Sequence, residues 1–393
     1  MDLIRYMTNF LEDEKIQKKG LLRILLTVSL FIGISVVAIS LDLDRRVVSF
    51  FYSADQGFYL DKTIPWIWFY RYGTVPGLLL TIGSLGAWFF CFTRTAYRPW
   101  HKYFLLIVLT SVIGAGVIVN AVLKNHWGRP RPDQTVQFGG KWEYRDITEP
   151  GTPGKGASFP CGHCSMGFLF TALFVFRRKA PVLAWTGLIF GLIYGGLVSI
   201  TRIIQGAHYP LDTLWSLAVI VLTAMTLYYI VLKIPFGNQA FAPSFSSFQR
   251  KSLGAAIILA MILMALAFLT RRPYYSSYHH ELNIPSTVSR IAVTLNDDPE
   301  SVKTEYIKAG KAEMILYAQG FGFPNAKHYV DFSGRIQGTV LYINAVVRPK
   351  GYYSELNHRL EIFLPENLKG RIEITVQRPI QKDIVGRNSA GNS

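Results

Sequence analysis

The chain has 393 residues, half of them hydrophobic, only 17% charged, with a net charge of +16. Soluble globular chains carry about 25% charged residues, so the deficit points to a membrane protein. Three cysteines exclude a disulfide framework. Much of the Lys and Arg flanks apolar runs in short loops, which disfavours a nucleic-acid partner and fits the positive bias of cytoplasmic loops.

Apolar runs near 20 residues predict spans at 24–42, 75–93, 103–123, 181–200, 213–232 and 253–270. A shorter run, 164–176, brings the number to seven. The leader, residues 1–23, is too long and charged for a signal peptide. It carries Arg5, Lys15, Lys18, Lys19 and Arg23, which argues for a cytoplasmic N-terminus. Crossing at every span places 94–102, 177–180 and 233–251 on that same side, and all three segments are basic. Residues 124–163, 201–212 and everything after Thr270 then share the outer face.

The tail alternates apolar and polar residues at 290–296, 313–319, 339–347, 358–365 and 371–377. Period-two alternation rich in Val, Ile and Tyr predicts strands with one buried face. The expected architecture is an all-α integral membrane bundle with a small C-terminal β-rich domain. Its parts are a leader (1–23), a six-span core (24–235), a seventh span (253–270) and the β-rich domain (271–393).

Three polar blocks fall on the outer face. The first, "KNHWGRPRP" (124–132), sets Lys124 and Arg131 seven positions apart, with prolines fixing the backbone around Arg131. By itself it reads as a membrane-flanking basic cluster, but the outer face is where positive bias is lowest, so an anion to be held is the sharper reading. In the second, Pro160, Gly162 and His163 precede an apolar run, which predicts a helix N-terminus. Such a terminus attracts anions through free N–H groups and the helix dipole. Gly162 admits close approach and His163 offers a titratable ring, although an interfacial turn with an incidental His is the plain alternative. The third block, "TRIIQGAHYPLD" (201–212), carries Arg202, His208 and Asp212. Pro210 predicts a helix start there, so His208 and Asp212 face each other one turn apart. A carboxylate beside an imidazole fixes its tautomer and stabilises its cation, as a nucleophilic or general-base histidine requires; a structural hydrogen bond is the commoner role of an isolated pair. No metal-ligand set appears on this face, so Arg and Lys would do the work of a metal ion in phosphoryl transfer.

In order and spacing, K-x6-R-P at 124–132, P-C-G-H at 160–163 and T-R-x5-H-x3-D at 201–212 resemble the type-2 phosphatidic acid phosphatase superfamily of membrane lipid phosphatases. The resemblance covers roughly residues 60–235 and implies roles. His208 would be the nucleophile, forming a phosphohistidine, with Asp212 orienting it. His163 would protonate the leaving alcohol and then activate water. Lys124, Arg131, Arg202, Gly162 and the residue at Cys161 would hold phosphate, with no metal and no cofactor. Two positions depart from the pattern, Thr201 and Cys161, each standing where the family has Ser; a thiol is the weaker donor.

The implied function is a lipid phosphatase of the inner membrane with a periplasmic site. Its substrate would be a lipid phosphate or diphosphate: lipid A, undecaprenyl diphosphate or phosphatidylglycerol phosphate. Transfer to another lipid is the alternative. A protein or glycan partner is expected for the C-terminal domain, and a non-enzymatic scaffold is disfavoured by the complete catalytic set. Haloperoxidases share the motifs but are soluble. Cys161-Gly-His-Cys164 is also a thiol–disulfide exchange core, yet it follows a Gly/Pro loop rather than a strand. On an oxidising face the two cysteines would be able to pair and reshape the phosphate pocket.

Overall fold

The computed structural model describes residues 2–61, 63–140, 142–152, 156–236, 255, 272–296, 299, 301–308, 310–323 and 325–377. The chain divides into two units, Met1–Leu266 and Ala267–Ser393.

In the first unit the leader and the first apolar run form one helix, α1 (Asp2–Ser40), followed by the short α2 (Leu43–Ser49). Next come α3 (Trp66–Tyr72) and α4 (Val75–Phe90). Then α5 (His101–Leu109) widens into a π-helix over Thr110–Leu123 and ends as α6 (Lys124–Trp127). A non-helical loop leads to α7 (Gly162–Phe168), which tightens into a 3₁₀ segment over Leu169–Arg178. The last two long helices are α8 (Pro181–Ile204) and α9 (Pro210–Thr226). Each opens on its proline, where the missing N–H costs nothing, as Pro210 led us to expect.

Five of these helices are long and apolar enough to cross a membrane: Ile16–Ser40, Trp66–Phe90, Thr95–Leu123, Pro181–Ile204 and Pro210–Val231. Their outward faces are apolar. On α8 the exposed residues Val182, Trp185, Ile189 and Ile193 recur at helical spacing, the reverse of a water-soluble amphipathic helix and what a lipid-facing surface requires. The expected span at 164–176 is the α7–3₁₀ segment, and the expected seventh span lies outside the described residues. Small residues bring that segment close to α8: a side chain added at Gly167 would meet the Gly195 backbone at 2.9 Å. Tyr103, Leu106 and Ile107 of α5 pack with Ala172, Phe176, Ala224 and Leu227 to fill the bundle beneath the polar end.

The second unit is a sandwich of two four-stranded sheets. The strands are β1 (Arg272–Glu281), β2 (Arg290–Leu295), β3 (Ser301–Ile307), β4 (Glu313–Gly322), β5 (Lys327–Gln337), β6 (Val340–Lys350), β7 (Tyr353–Pro365) and β8 (Glu373–Gln377). The orders are β1-β4-β7-β3 and β5-β6-β2-β8. Alternate residues of the inner strands interdigitate: Met314, Leu316, Leu360 and Ile362 from one sheet meet Ile291, Val293, Leu341 and Ile343 from the other. The five segments with expected alternation are β2, β4, β6, β7 and β8.

Candidate active site

The first unit gathers all three polar blocks at one end of its bundle. His208 lies in the turn between α8 and α9 and is 1% exposed. Its Nδ1 is 2.6 Å from the Ser158 carbonyl oxygen and 3.7 Å from Asp212 Oδ2. A carbonyl only accepts, so Nδ1 carries the proton and the Nε2 lone pair is left for chemistry. Burial pushes the His208 pKa down to about 4; Asp212 opposes the shift, while Arg202 and Arg131 add to it. The ring is therefore neutral near pH 7, in the positive field of two buried guanidiniums.

Asp212 sits in the first turn of α9 and is fully buried. Its Oδ2 accepts from the Ser158 hydroxyl at 2.5 Å and the Tyr209 N–H at 2.8 Å. Its Oδ1 takes the Arg129 guanidinium at 2.5 Å. The sequence pointed to Asp212 as the group orienting His208. In the fold it braces Ser158, whose carbonyl holds the imidazole, and also lies next to Nδ1 itself.

Arg129 escaped the sequence reading. It has no solvent exposure and bridges two carboxylates, Asp212 and, at 2.6 Å, Asp44 at the start of α2. Its Nε donates to the Arg145 carbonyl at 2.8 Å, and its guanidinium lies 4.4 Å from the Tyr209 ring centre. Asp44 in turn accepts the Leu211 N–H at 2.9 Å. Burial raises the Asp44 pKa while Arg129 pulls it down. On Arg129 burial lowers the pKa, but the two carboxylates outweigh it and the net shift is upward. This charged cluster ties the loop after α6 to α2 and to the start of α9, behind His208.

The second block behaves as a helix start. α7 begins at Gly162 with Cys161 as its N-cap; the Cys161 sulfur lies 3.2 Å from the Cys164 N–H, and the two cysteines are joined by a disulfide. A side chain at Gly162 would collide with Asn120 Oδ1, so the glycine lets the backbone lie against the helix that carries Asn120 and, four residues on, Lys124. His163 stacks on Tyr70 with ring centres 5.7 Å apart, and Arg202 lies 4.7 Å from the same ring. Tyr70, on α3, thus sets the general-acid candidate and a phosphate-binding candidate around one aromatic plate.

Arg202 is 4% exposed and donates to Gln205 Oε1 at 2.7 Å. Arg131 is 7% exposed, and its backbone N–H donates to Gln134 Oε1 at 2.8 Å. The Asp133 N–H bonds the Gly206 carbonyl at 3.0 Å, which fastens the Arg131 segment to the His208 turn. Lys124 is half-buried at the start of α6. The fold therefore brings Arg131, Arg202, His208 and Asp212 together, and places His163 beside Arg202 through Tyr70. The helix with Lys124 lies against the Gly162 terminus.

Among the described residues no group of three or more His, Cys, Asp and Glu is placed to ligate a metal. The first unit holds no strand among its described residues, so the βα setting of a thiol exchanger is missing there.

Comparison with known proteins agrees with the resemblance seen in the three blocks. The PAP2 superfamily model matches residues 104–236. The chain is 29% identical over 171 residues to the lipid A 4'-phosphatase of Francisella tularensis subsp. novicida (strain U112), a stretch that is 42% of this chain and 74% of the relative. It is 35% identical over 120 residues to the lipid A 4'-phosphatase of Rhizobium leguminosarum, covering 30% of this chain and 50% of that protein. A third lipid A 4'-phosphatase, from Rhizobium etli, is 34% identical over 118 residues and is matched over 45% of its length. No solved structure matches the chain.

Proposed function

We propose that the chain, a phosphatase whose residues 104–236 match the PAP2 superfamily, is a membrane lipid phosphatase that removes the 4'-phosphate of lipid A through a phosphohistidine. The observation that carries the mechanism is the state of His208: neutral, with Nδ1–H on the Ser158 carbonyl, which leaves the Nε2 lone pair for attack, in the positive field of Arg202 and Arg131. The choice of lipid A rests on the three relatives of that name.

In this reading the substrate phosphate lies at the Gly162 helix terminus, with its oxygens held by Lys124, Arg131, Arg202 and the Gly162 N–H. These groups stand where charge spreads over the equatorial oxygens in the transition state. His208 Nε2 attacks phosphorus in line, and the bond to the sugar oxygen breaks as His163 gives that oxygen a proton. The phosphorylated imidazole ring is cationic, and the Asp212 carboxylate, 3.7 Å from Nδ1, stabilises it. His163, now a base, takes a proton from water as the water oxygen attacks phosphorus, releasing phosphate and restoring Nε2.

The same reading assigns a six-span core with the catalytic end outward, in the inner membrane and facing the periplasm. The α7–3₁₀ segment supports the count: seven α residues and ten 3₁₀ residues rise ~30 Å, the thickness of the hydrocarbon layer. Basic residues Arg177, Arg178 and Lys179 at its far end fit the cytoplasmic side. The parts of the chain are then the leader to residue 23, the core to 235 and an outer β-rich domain.

The test is phosphate release from purified full-length protein on lipid A, undecaprenyl diphosphate and phosphatidylglycerol phosphate, each with EDTA present. Release is expected to be fastest from the 4' position of lipid A and unchanged by EDTA. No release from lipid A, or release that requires an added divalent ion, would contradict the proposal.

A further inference from the structure

The far end of the bundle holds a cavity of about 580 Å³ between α1, the 3₁₀ segment, α8, and α9 with its π-helical continuation over Leu227–Val231. That volume falls in the range of about 300–1,000 Å³ typical of small-molecule sites. It is separate from the catalytic end. The 3₁₀ segment starts six residues after His163 and carries Arg177 near its finish, on the order of 25 Å away by helix rise.

The walls are apolar, among them Leu26, Val175, Leu188, Val221 and Met225. Arg23 and Arg177 also line it, and both converge on one hydroxyl: Arg23 Nη1 donates to Tyr229 Oη at 2.6 Å and Arg177 Nη2 at 3.2 Å. Arg177 further lies 5.0 Å from the Tyr228 ring centre and 5.3 Å from that of Phe174. Among the described residues neither arginine has a carboxylate partner. Beside them the Tyr228 hydroxyl is buried with no hydrogen-bond partner in a side chain that is 2% exposed, although buried hydroxyls are normally satisfied. Two guanidiniums pinned to a neutral phenol, with an orphan hydroxyl next to them, lack an anionic acceptor.

We infer that this cavity binds an anionic glycerophospholipid, one acyl chain filling the apolar space and its headgroup phosphate resting on Arg23 and Arg177 within reach of the Tyr228 hydroxyl. Free phosphate would meet the two arginines but leave the apolar space unused, so a lipid is the occupant that satisfies both halves. Arg23 directly precedes the apolar run that begins at residue 24, and Arg177 stands near the end of the 3₁₀ segment Leu169–Arg178; basic residues at such ends attract anionic headgroups.

The experiment uses full-length protein reconstituted in nanodiscs of equal phosphatidylglycerol and phosphatidylcholine, extracted in mild detergent, with retained lipid counted by mass spectrometry. Wild-type protein is expected to retain phosphatidylglycerol over phosphatidylcholine, and inorganic phosphate should not displace it. Each arginine is expected to contribute about fivefold, so Arg23→Ala with Arg177→Ala should lower retention about 25-fold. Arg23→Lys should restore most of its share. Val221→Phe, which fills the cavity and leaves both arginines in place, should expel the lipid. Retained lipid that mirrors the nanodisc composition in the wild type would overturn the inference without recourse to any variant. Undiminished phosphatidylglycerol in the double-alanine protein, or its displacement by inorganic phosphate, would overturn it equally.

Discussion

Replacing Arg129 by Met tests the charged cluster that stands behind His208. The native guanidinium has no solvent exposure and serves Asp212 at 2.5 Å and Asp44 at 2.6 Å. Methionine keeps much of the volume and removes the charge, which leaves two buried carboxylates facing each other without a cation. Removing one partner of a buried pair costs about 3–5 kcal/mol, mostly because the remaining charge is stranded. With about 1 kcal/mol moving Tm by roughly 2–4 °C in a unit of this size, the melting point should fall by roughly 6–20 °C. Adding Asp44→Asn to Arg129→Met removes one stranded charge and should return about 1–3 kcal/mol. The assay is thermal unfolding of the three proteins in detergent, read by tryptophan fluorescence. Phosphate release at a temperature where all remain folded should also drop in the single variant, since Asp212 and Ser158 lose their brace. A melting point within about 3 °C of wild type, or no recovery on adding Asp44→Asn, would refute the reasoning.

Two further predictions concern proton transfer. His163→Ala should lower kcat by about 10²–10⁴-fold, the usual contribution of a positioned general acid, with melting unchanged; turnover within a few-fold of wild type would remove His163 from the mechanism. The pH profile of kcat/KM reports the second. His208 must be unprotonated to attack, and its pKa is held down to about 4 from the ordinary 6.5. Activity should therefore persist as pH falls below 6.5 and be lost only as pH drops through about 4. An acidic limb centred near 6.5 that coincides with the titration of the His208 ring followed by NMR would contradict the buried, neutral ring.

Much of this was legible in the sequence because the physics is local. Long apolar runs mark helices that face lipid, Pro210 marks the start of α9, and the Gly162 terminus follows from where an apolar run begins after Pro160. The strands read from alternation have one face against the sandwich core, whereas β1, β3 and β5 were missed. All three are edge strands, and β5 is exposed along most of its length, so period-two patterning fades. Arg129 was invisible for a different reason. Among the basic residues of "KNHWGRPRP" nothing local separates it from Arg131; its burial is decided by Asp44 and Asp212, 85 and 83 residues away. Ser158 is hidden in the same way: its carbonyl is one that any residue type supplies, and its hydroxyl meets Asp212, 54 residues away. Tyr70 reads as one aromatic among several in "WIWFYRY" until α7 and α8 pack on either side of it.

The most direct test of the central claim is to trap the covalent intermediate. Full-length protein is mixed with lipid A labelled in its 4'-phosphate, quenched in alkali, where a phosphorylated imidazole survives, and mapped by mass spectrometry. The mechanism predicts phosphate on the peptide containing His208 and none in His208→Ala, whose turnover is abolished. Label on a different residue, or near-normal release from His208→Ala, would contradict it.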